Sequence, residues 1–186
     1  MAAAKENRLR VLIPREDVER RVAELAAEIE RDYAGRDLVC VGVLKGSVFF
    51  LVDLLKHLTI PVSLDFFQTS SYGSRGAVRG EVRIRKDIEL SISGRDVLIV
   101  EDIVDTGYTL RTILDLMRFR GARSVKLCAL LDKAAAREVE VPIDYRGFEI
   151  ENLFVVGYGL DYDEHYRNLP YIAVSEPETP AVPSPS

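Results

Sequence analysis

Apolar positions along the chain fall into two kinds of run. Val18, Val22, Leu25, Ile29 and Tyr33 recur at helical spacing behind Pro14, a residue suited to a first turn, and Gly35 ends the series. This spacing predicts an amphipathic packing helix. Residues 48–58 and the set Leu110, Ile113, Leu114 and Met117 repeat the helical period. Between them lie short continuous apolar runs at residues 38–44, 97–100 and 124–131, the pattern of strands buried on both faces of a parallel sheet. Residues 62–68 alternate Val62, Leu64 and Phe66, and residues 81–86 also show a period of two. The polar, glycine-rich residues 69–80 between those two predict an exposed hairpin with a mobile tip. Strands alternating with helices make this an α/β chain.

The strand-like run at residues 97–100 stops at two acids. Glu101 and Asp102 are thereby predicted at the carboxyl edge of the sheet, where open α/β folds bind ligands. Asp105, Thr106, Gly107, Tyr108 and Thr109 follow as a turn that opens the next helix. Amides of a Thr-Gly-x-Thr turn can point into one concavity, where the helix dipole and two hydroxyls favour a phosphate. Adjacent carboxylates accept hydrogen bonds from vicinal hydroxyls or reach a hard cation such as magnesium. Asp105, between the two, can face the far side of a sugar and handle a proton there. Phosphate, diol and proton acceptor together outline a ribose 5-phosphate.

Lys45, Gly46 and Ser47 break the first buried strand in the same way. Gly46 allows close backbone approach, and the amides opening the following helix suit an anion. Lys133 stands at the end of a third strand, where an ammonium, being a donor only, suits a carbonyl partner.

A length of 186 residues at 47% hydrophobic content suits one well-buried domain, expected over residues 1–175. Residues 176–186, proline-rich and weakly hydrophobic, read as a disordered tail. The net charge of −5 argues against a nucleic-acid binder. Cys40 and Cys128 sit in apolar runs as core thiols, which suggests a reducing compartment. Residues 1–10 carry no apolar targeting core and no stretch is long enough to span a bilayer, so a cytoplasmic protein without membrane contact is expected. His57 and His165 lack partners at zinc-site spacing.

The stretch at residues 97–110 resembles the phosphoribosyl-pyrophosphate signature of the type I phosphoribosyltransferases. Leu44-Lys45-Gly46-Ser47 is similar to the pyrophosphate loop of the hypoxanthine-guanine phosphoribosyltransferases, where the peptide before the lysine can be cis. Ser70-Ser71-Tyr72-Gly73 resembles the flexible loop that closes over their active site, although residues 73–80 match no strict pattern. Leu131-Asp132-Lys133 looks like the segment whose lysine contacts the purine 6-oxo group. Residues 154–162 are similar to the purine-binding hood, in which the residue at Phe154 stacks on the base and the backbone at Val155 and around Leu160 and Asp161 reads its edge. By the same resemblance Asp161 helps hold a second magnesium beside Glu101 and Asp102, and Arg167 approaches pyrophosphate.

The resemblance, to the bacterial-type enzymes in particular, spans about residues 38–174 with its motifs in order. It implies a twisted, mainly parallel sheet flanked by helices, with a small hood from the C-terminal segment and N-terminal residues. It further implies a magnesium-dependent transfer from phosphoribosyl pyrophosphate to a 6-oxopurine base, giving the purine monophosphate and pyrophosphate. Lys45, Gly46, Glu101, Asp102, Asp105, Thr106, Gly107, Tyr108, Thr109 and Arg167 would bind the donor. Asp105 would take the N7 proton and Lys133 would stabilise charge on the 6-oxo group. Family habit implies a homodimer or homotetramer. Two alternatives stay open: a preference for xanthine, and a phosphoribosyl-pyrophosphate-sensing regulator that binds nucleic acid, against which Asp105, Lys133 and Phe154 speak.

Overall fold

The computed structural model describes residues 8–71 and 82–176. Strand β1 (Arg8–Ile13) leads into helix α1 (Arg15–Asp32), which follows Pro14 and buries Val18, Val22, Leu25, Ala26 and Ile29. Tyr33, directly after the helix, is buried too. Strand β2 (Leu38–Leu44) and helix α2 (Val48–His57) come next, then the hairpin of β3 (Val62–Ser71) and β4 (Val82–Lys86). Strand β5 (Asp96–Val104), helix α3 (Tyr108–Phe119), β6 (Ser124–Asp132) and β7 (Tyr145–Glu149) complete the main layer. The chain closes with β8 (Val155–Val156) and β9 (Ile172–Glu176).

Six strands form the main sheet in the order β4-β3-β2-β5-β6-β7, parallel except for the edge strand β4. Successive residues of β2 bury into opposite layers. Leu38 and Cys40 face a core shared with α1 and α2, whereas Val39, Val41 and Val43 face one shared with α3. That two-sided burial is why the strand reads as an unbroken apolar run. A second, antiparallel sheet of order β1-β9-β8 forms the expected hood, and its Ile13, Val155, Ile172 and Val174 join the core of α1 and α2. Cys40 and Cys128 are free, buried thiols. Among the described residues no helix is long and apolar enough to cross a membrane.

Three boundaries differ from the sequence reading. Strand β5 runs past Glu101 and Asp102 to Val104, because β6 continues to pair with it through Ile103↔Leu131 and Val104↔Asp132. Ser70 and Ser71, expected in the flexible loop, extend β3 by pairing with Arg83 and Val82, while Tyr72 and Gly73 lie outside the described residues. Glu176, expected in the tail, belongs to β9, where it pairs with Arg8 and meets Arg10 at 3.0 Å; residues 177–186 lie outside the description. Phe154 sits just before β8 and is 52% exposed.

Candidate active site

The carboxyl ends of β2, β5 and β6 meet under the hood. The Leu44–Lys45 peptide that leaves β2 is cis, as the resemblance implied. Ser47 is buried and its hydroxyl donates to the Val43 carbonyl at 2.7 Å, folding the chain back before α2. Between them, Gly46 has no room for a side chain. A Cβ there would lie 1.7 Å from Asp102 Oδ2, and a Cβ on Gly159 would lie 1.9 Å from the Gly46 carbonyl. Loop, acidic pair and hood therefore pack through glycine backbone.

The acidic pair is only partly compensated by the described residues. Glu101 Oε2 is buried without a hydrogen-bond partner among the described residues. Desolvation, with the Asp102 charge beside it, pushes the Glu101 carboxyl well above the usual range. Desolvation also raises Asp102, to about 6, against the Ile103 amide that donates to its Oδ1 at 2.9 Å and the nearby Arg167 charge. Oxygens in this condition call for a cation or hydroxyl donors.

Residues 105–109 curl beside the pair. Gly107 (φ +95°) precedes α3, and a Cβ on it would meet the Val139 carbonyl at 2.4 Å. The amides of Glu138 and Val139 both donate to the Thr106 carbonyl at 3.0 Å, which pins the turn from the side. A pocket of about 270 Å³ opens there, its walls including Glu101, Asp105, Thr106, Gly107, Thr109 and Thr69. Asp105 is half exposed, and its Oδ2 lies 3.9 Å from Nζ of the nearly buried Lys133.

Sequence reading missed Arg137, whose guanidinium ties these strand ends together. It donates to the carbonyls of Asp105 at 2.9 Å and Val104 at 3.3 Å, and reaches Asp132 Oδ1 at 2.5 Å. Asp132 is buried, and Arg146 holds its other oxygen at 2.9 Å. The available signal was the acid itself, since a carboxylate closing a buried strand demands a cationic partner.

In the hood, Val155 and Leu160 are buried and Gly157, Tyr158 and Gly159 have positive φ. The Tyr158 hydroxyl donates to Asp53 of α2 at 2.8 Å, fixing the hood to the main layer. Tyr162, also unassigned from sequence, stands edge-on to Phe154 with ring centroids 5.6 Å apart at 89°. Asp161 pairs with Arg167 at 2.8 Å rather than with the other two acids, so the three expected metal ligands divide into a pair and a salt-bridged third. Arg167 also donates to the Gly159 carbonyl at 2.7 Å.

Residues 14–163 match the family model described as the phosphoribosyl transferase domain. The chain is 50% identical over 169 residues to the bifunctional protein TilS/HprT of Listeria monocytogenes, spanning 91% of this chain but only 26% of that relative's length. It is 47% identical over 168 residues to the hypoxanthine-guanine phosphoribosyltransferase of Bacillus subtilis, covering 90% of this chain and 93% of the relative. The crystal structure of a hypoxanthine phosphoribosyltransferase from Staphylococcus aureus superposes with a TM-score of 0.87 at 46% identity, over 90% of this chain and 91% of that one.

Proposed function

This chain belongs to the phosphoribosyl transferase family, among the hypoxanthine-guanine phosphoribosyltransferases, and from that premise we propose that it transfers the 5-phosphoribosyl group of phosphoribosyl pyrophosphate to N9 of hypoxanthine or guanine. Pyrophosphate and the purine 5'-monophosphate are the products, a purine-salvage reaction. The reading is supported most by one pocket that joins the uncompensated Glu101 to Asp105 and the 106–109 turn.

In this reaction the 106–109 turn binds the 5-phosphate through its amides and hydroxyls. Glu101 and Asp102 accept the ribose hydroxyls. Magnesium, when bound, supplies positive charge against the departing pyrophosphate, and a cation that keeps several waters and substrate oxygens needs only such a carboxylate pair from the protein. Asp161, paired with Arg167, would help hold a second magnesium. Lys45, Gly46 and Arg167 receive the pyrophosphate. As its bond to the anomeric carbon breaks and the bond from N9 forms, Asp105 takes the proton from N7. Lys133 donates to the 6-oxo oxygen, where charge gathers. Phe154 stacks on the base, and the backbone of Val155, Leu160 and Asp161 reads its edge. The segment Ser70, Ser71, Tyr72 and Gly73 is assigned the role of excluding water from the ribosyl cation, by its resemblance to the family's flexible loop. Buried free thiols at Cys40 and Cys128 suit the reducing cytoplasm, and a homodimer or homotetramer is proposed as the working assembly.

The test is nucleotide formation from hypoxanthine, guanine, xanthine and adenine, each with phosphoribosyl pyrophosphate, with and without magnesium. Magnesium-dependent product from hypoxanthine or guanine, and none from adenine, is expected. Xanthine as the preferred base would revise the specificity; no product from any base would overturn the enzyme. Replacing Asp105 by Asn should lower kcat by about 100-fold or more while donor binding changes little.

A further inference from the structure

Glu164 has no role in the reaction just described, yet it touches both cations assigned to pyrophosphate. Its Oε1 lies 2.9 Å from Lys45 Nζ, and its Oε2 lies 3.4 Å from the Arg167 guanidinium. We propose that the Glu164 carboxylate is an internal competitor for the pyrophosphate subsite, lowering affinity for pyrophosphate and so hastening its release. The proposal rests on the assignment of Lys45 and Arg167 to the leaving group.

Chemistry and geometry support it together. A carboxylate and a phosphoryl group both accept charge-assisted hydrogen bonds from lysine and arginine, so one can substitute for the other. Lys45 and Arg167 in turn hold the Glu164 carboxyl below its ordinary range, which keeps it ionised. The backbone is bent to bring it there: Asp163 and Glu164 have φ of 52° and 64°, both in the left-handed region that such residues seldom occupy. The Glu164 amide donates to Asp161 Oδ2 at 2.9 Å, fixing the turn from which the side chain reaches Lys45. The side chain itself is 64% exposed, so it can swing into water without losing solvation. Exposed pairs of this kind are individually weak, which suits a contact that must yield at every turnover.

The competition predicts an unusual direction of change. Glu164→Gln removes the charge and keeps the shape, and should tighten binding of magnesium pyrophosphate by about two- to fivefold, the range expected for a displaced surface ion pair. KM for hypoxanthine should stay unchanged, and the gain should shrink as salt rises. A Glu164 serving only to brace the loop would give weaker binding on substitution, so the sign separates the two roles. Calorimetric titration of the wild-type chain, Glu164→Gln and Glu164→Ala with magnesium pyrophosphate makes the comparison. Tighter binding in both variants supports the proposal; equal or weaker binding in both overturns it and leaves the proposed reaction standing. Tightening in Glu164→Gln alone also supports it, since alanine removes the stem as well as the charge, whereas tightening in Glu164→Ala alone counts against it. Failure of the wild-type chain to bind magnesium pyrophosphate would overturn both the competitor and the subsite assignment.

Discussion

Strand β5 carries a carboxylate near each end, and the protein treats them in opposite ways. At its start Asp96 is fully buried and satisfied: it accepts Arg123 through both oxygens and Ser124 Oγ at 2.6 Å, and has Arg36 at 3.8 Å. Those bonds, Arg123 foremost, pull its carboxyl down to about 2. Toward the other end, Glu101 has a buried oxygen with no hydrogen-bond partner among the described residues, and Asp102 is pushed up to about 6. One acid is structural and finished within the fold. The described residues leave the other two with raised carboxyls and no cation bonded to them. Cavity size points the other way, since a larger hollow of about 560 Å³ lies beside Asp96 between Arg36, Arg95 and Arg123. Its arginine charges already have acidic protein partners, although the buried Arg95 Nε has no hydrogen bond among the described residues: Arg95 donates through its terminal nitrogen to Asp37 at 3.0 Å and Ser63 at 2.7 Å, and the other two meet Asp96. Buried carboxyls raised for want of a cation, more than volume, distinguish the candidate site.

The contrast breaks most visibly at Asp96. Asp96→Ala should destabilise the chain by roughly 3 kcal/mol at pH 7, because it leaves buried donors without a partner. Urea unfolding measures this, and the specific activity of the remaining folded protein should be near wild type. Asp102→Asn should do the reverse, lowering turnover by about 100-fold while the metal-free protein is as stable as wild type or more so.

The same pair of sites predicts opposite pH dependences. Asp96 has a folded value below its unfolded one near 4, so its stabilisation is complete above about pH 4 and is lost as pH falls toward 2. Asp102 has a folded value of about 6, above its unfolded one. Below about pH 4 it is neutral in both states; between about 4 and 6 the unfolded chain releases a proton that the folded chain retains. Asp102 therefore contributes a fall in stability as pH rises through that window, by roughly 3 kcal/mol, and the raised Glu101 carboxyl adds to it in the same direction. Unfolding free energies across pH 3 to 8 in chelator should show the decline, and Asp102→Asn should make it smaller. The smallest effect lies in the hood. Tyr162→Leu removes the ring edge against Phe154 and should raise KM for hypoxanthine about threefold, with kcat little changed, as suits an aromatic pair worth about 1 kcal/mol.

Legibility in the sequence follows the same division. Strands β2 and β6 and helices α1 and α3 were readable because burial leaves its period in the residues, as with Val39 and Val41 on one face of β2 and Cys40 on the other. Strand β1 was not, since arginines alternate through it and only Ile13 is buried. Glu101, Asp102, Asp105 and the turn to Thr109 were legible as one contiguous run. Arg137, Tyr162 and Glu164 were not, because each acts through a contact made by folding. Glu164 meets Lys45 across 119 residues of chain, and local pattern carries no trace of that. The end of β5 was misplaced for a related reason: its last pairs are set by β6, not by its own composition.

Proton release on donor binding tests most directly whether the acidic pair is held back for a ligand. Calorimetric titration of magnesium phosphoribosyl pyrophosphate into the wild-type chain at pH 6, in buffers of different ionisation enthalpy, counts the protons. With Asp102 near 6, wild type should release about half a proton more than Asp102→Asn does. Equal release from the two proteins would mean that Asp102 is already ionised before the ligand arrives, and the contrast along β5 would fail.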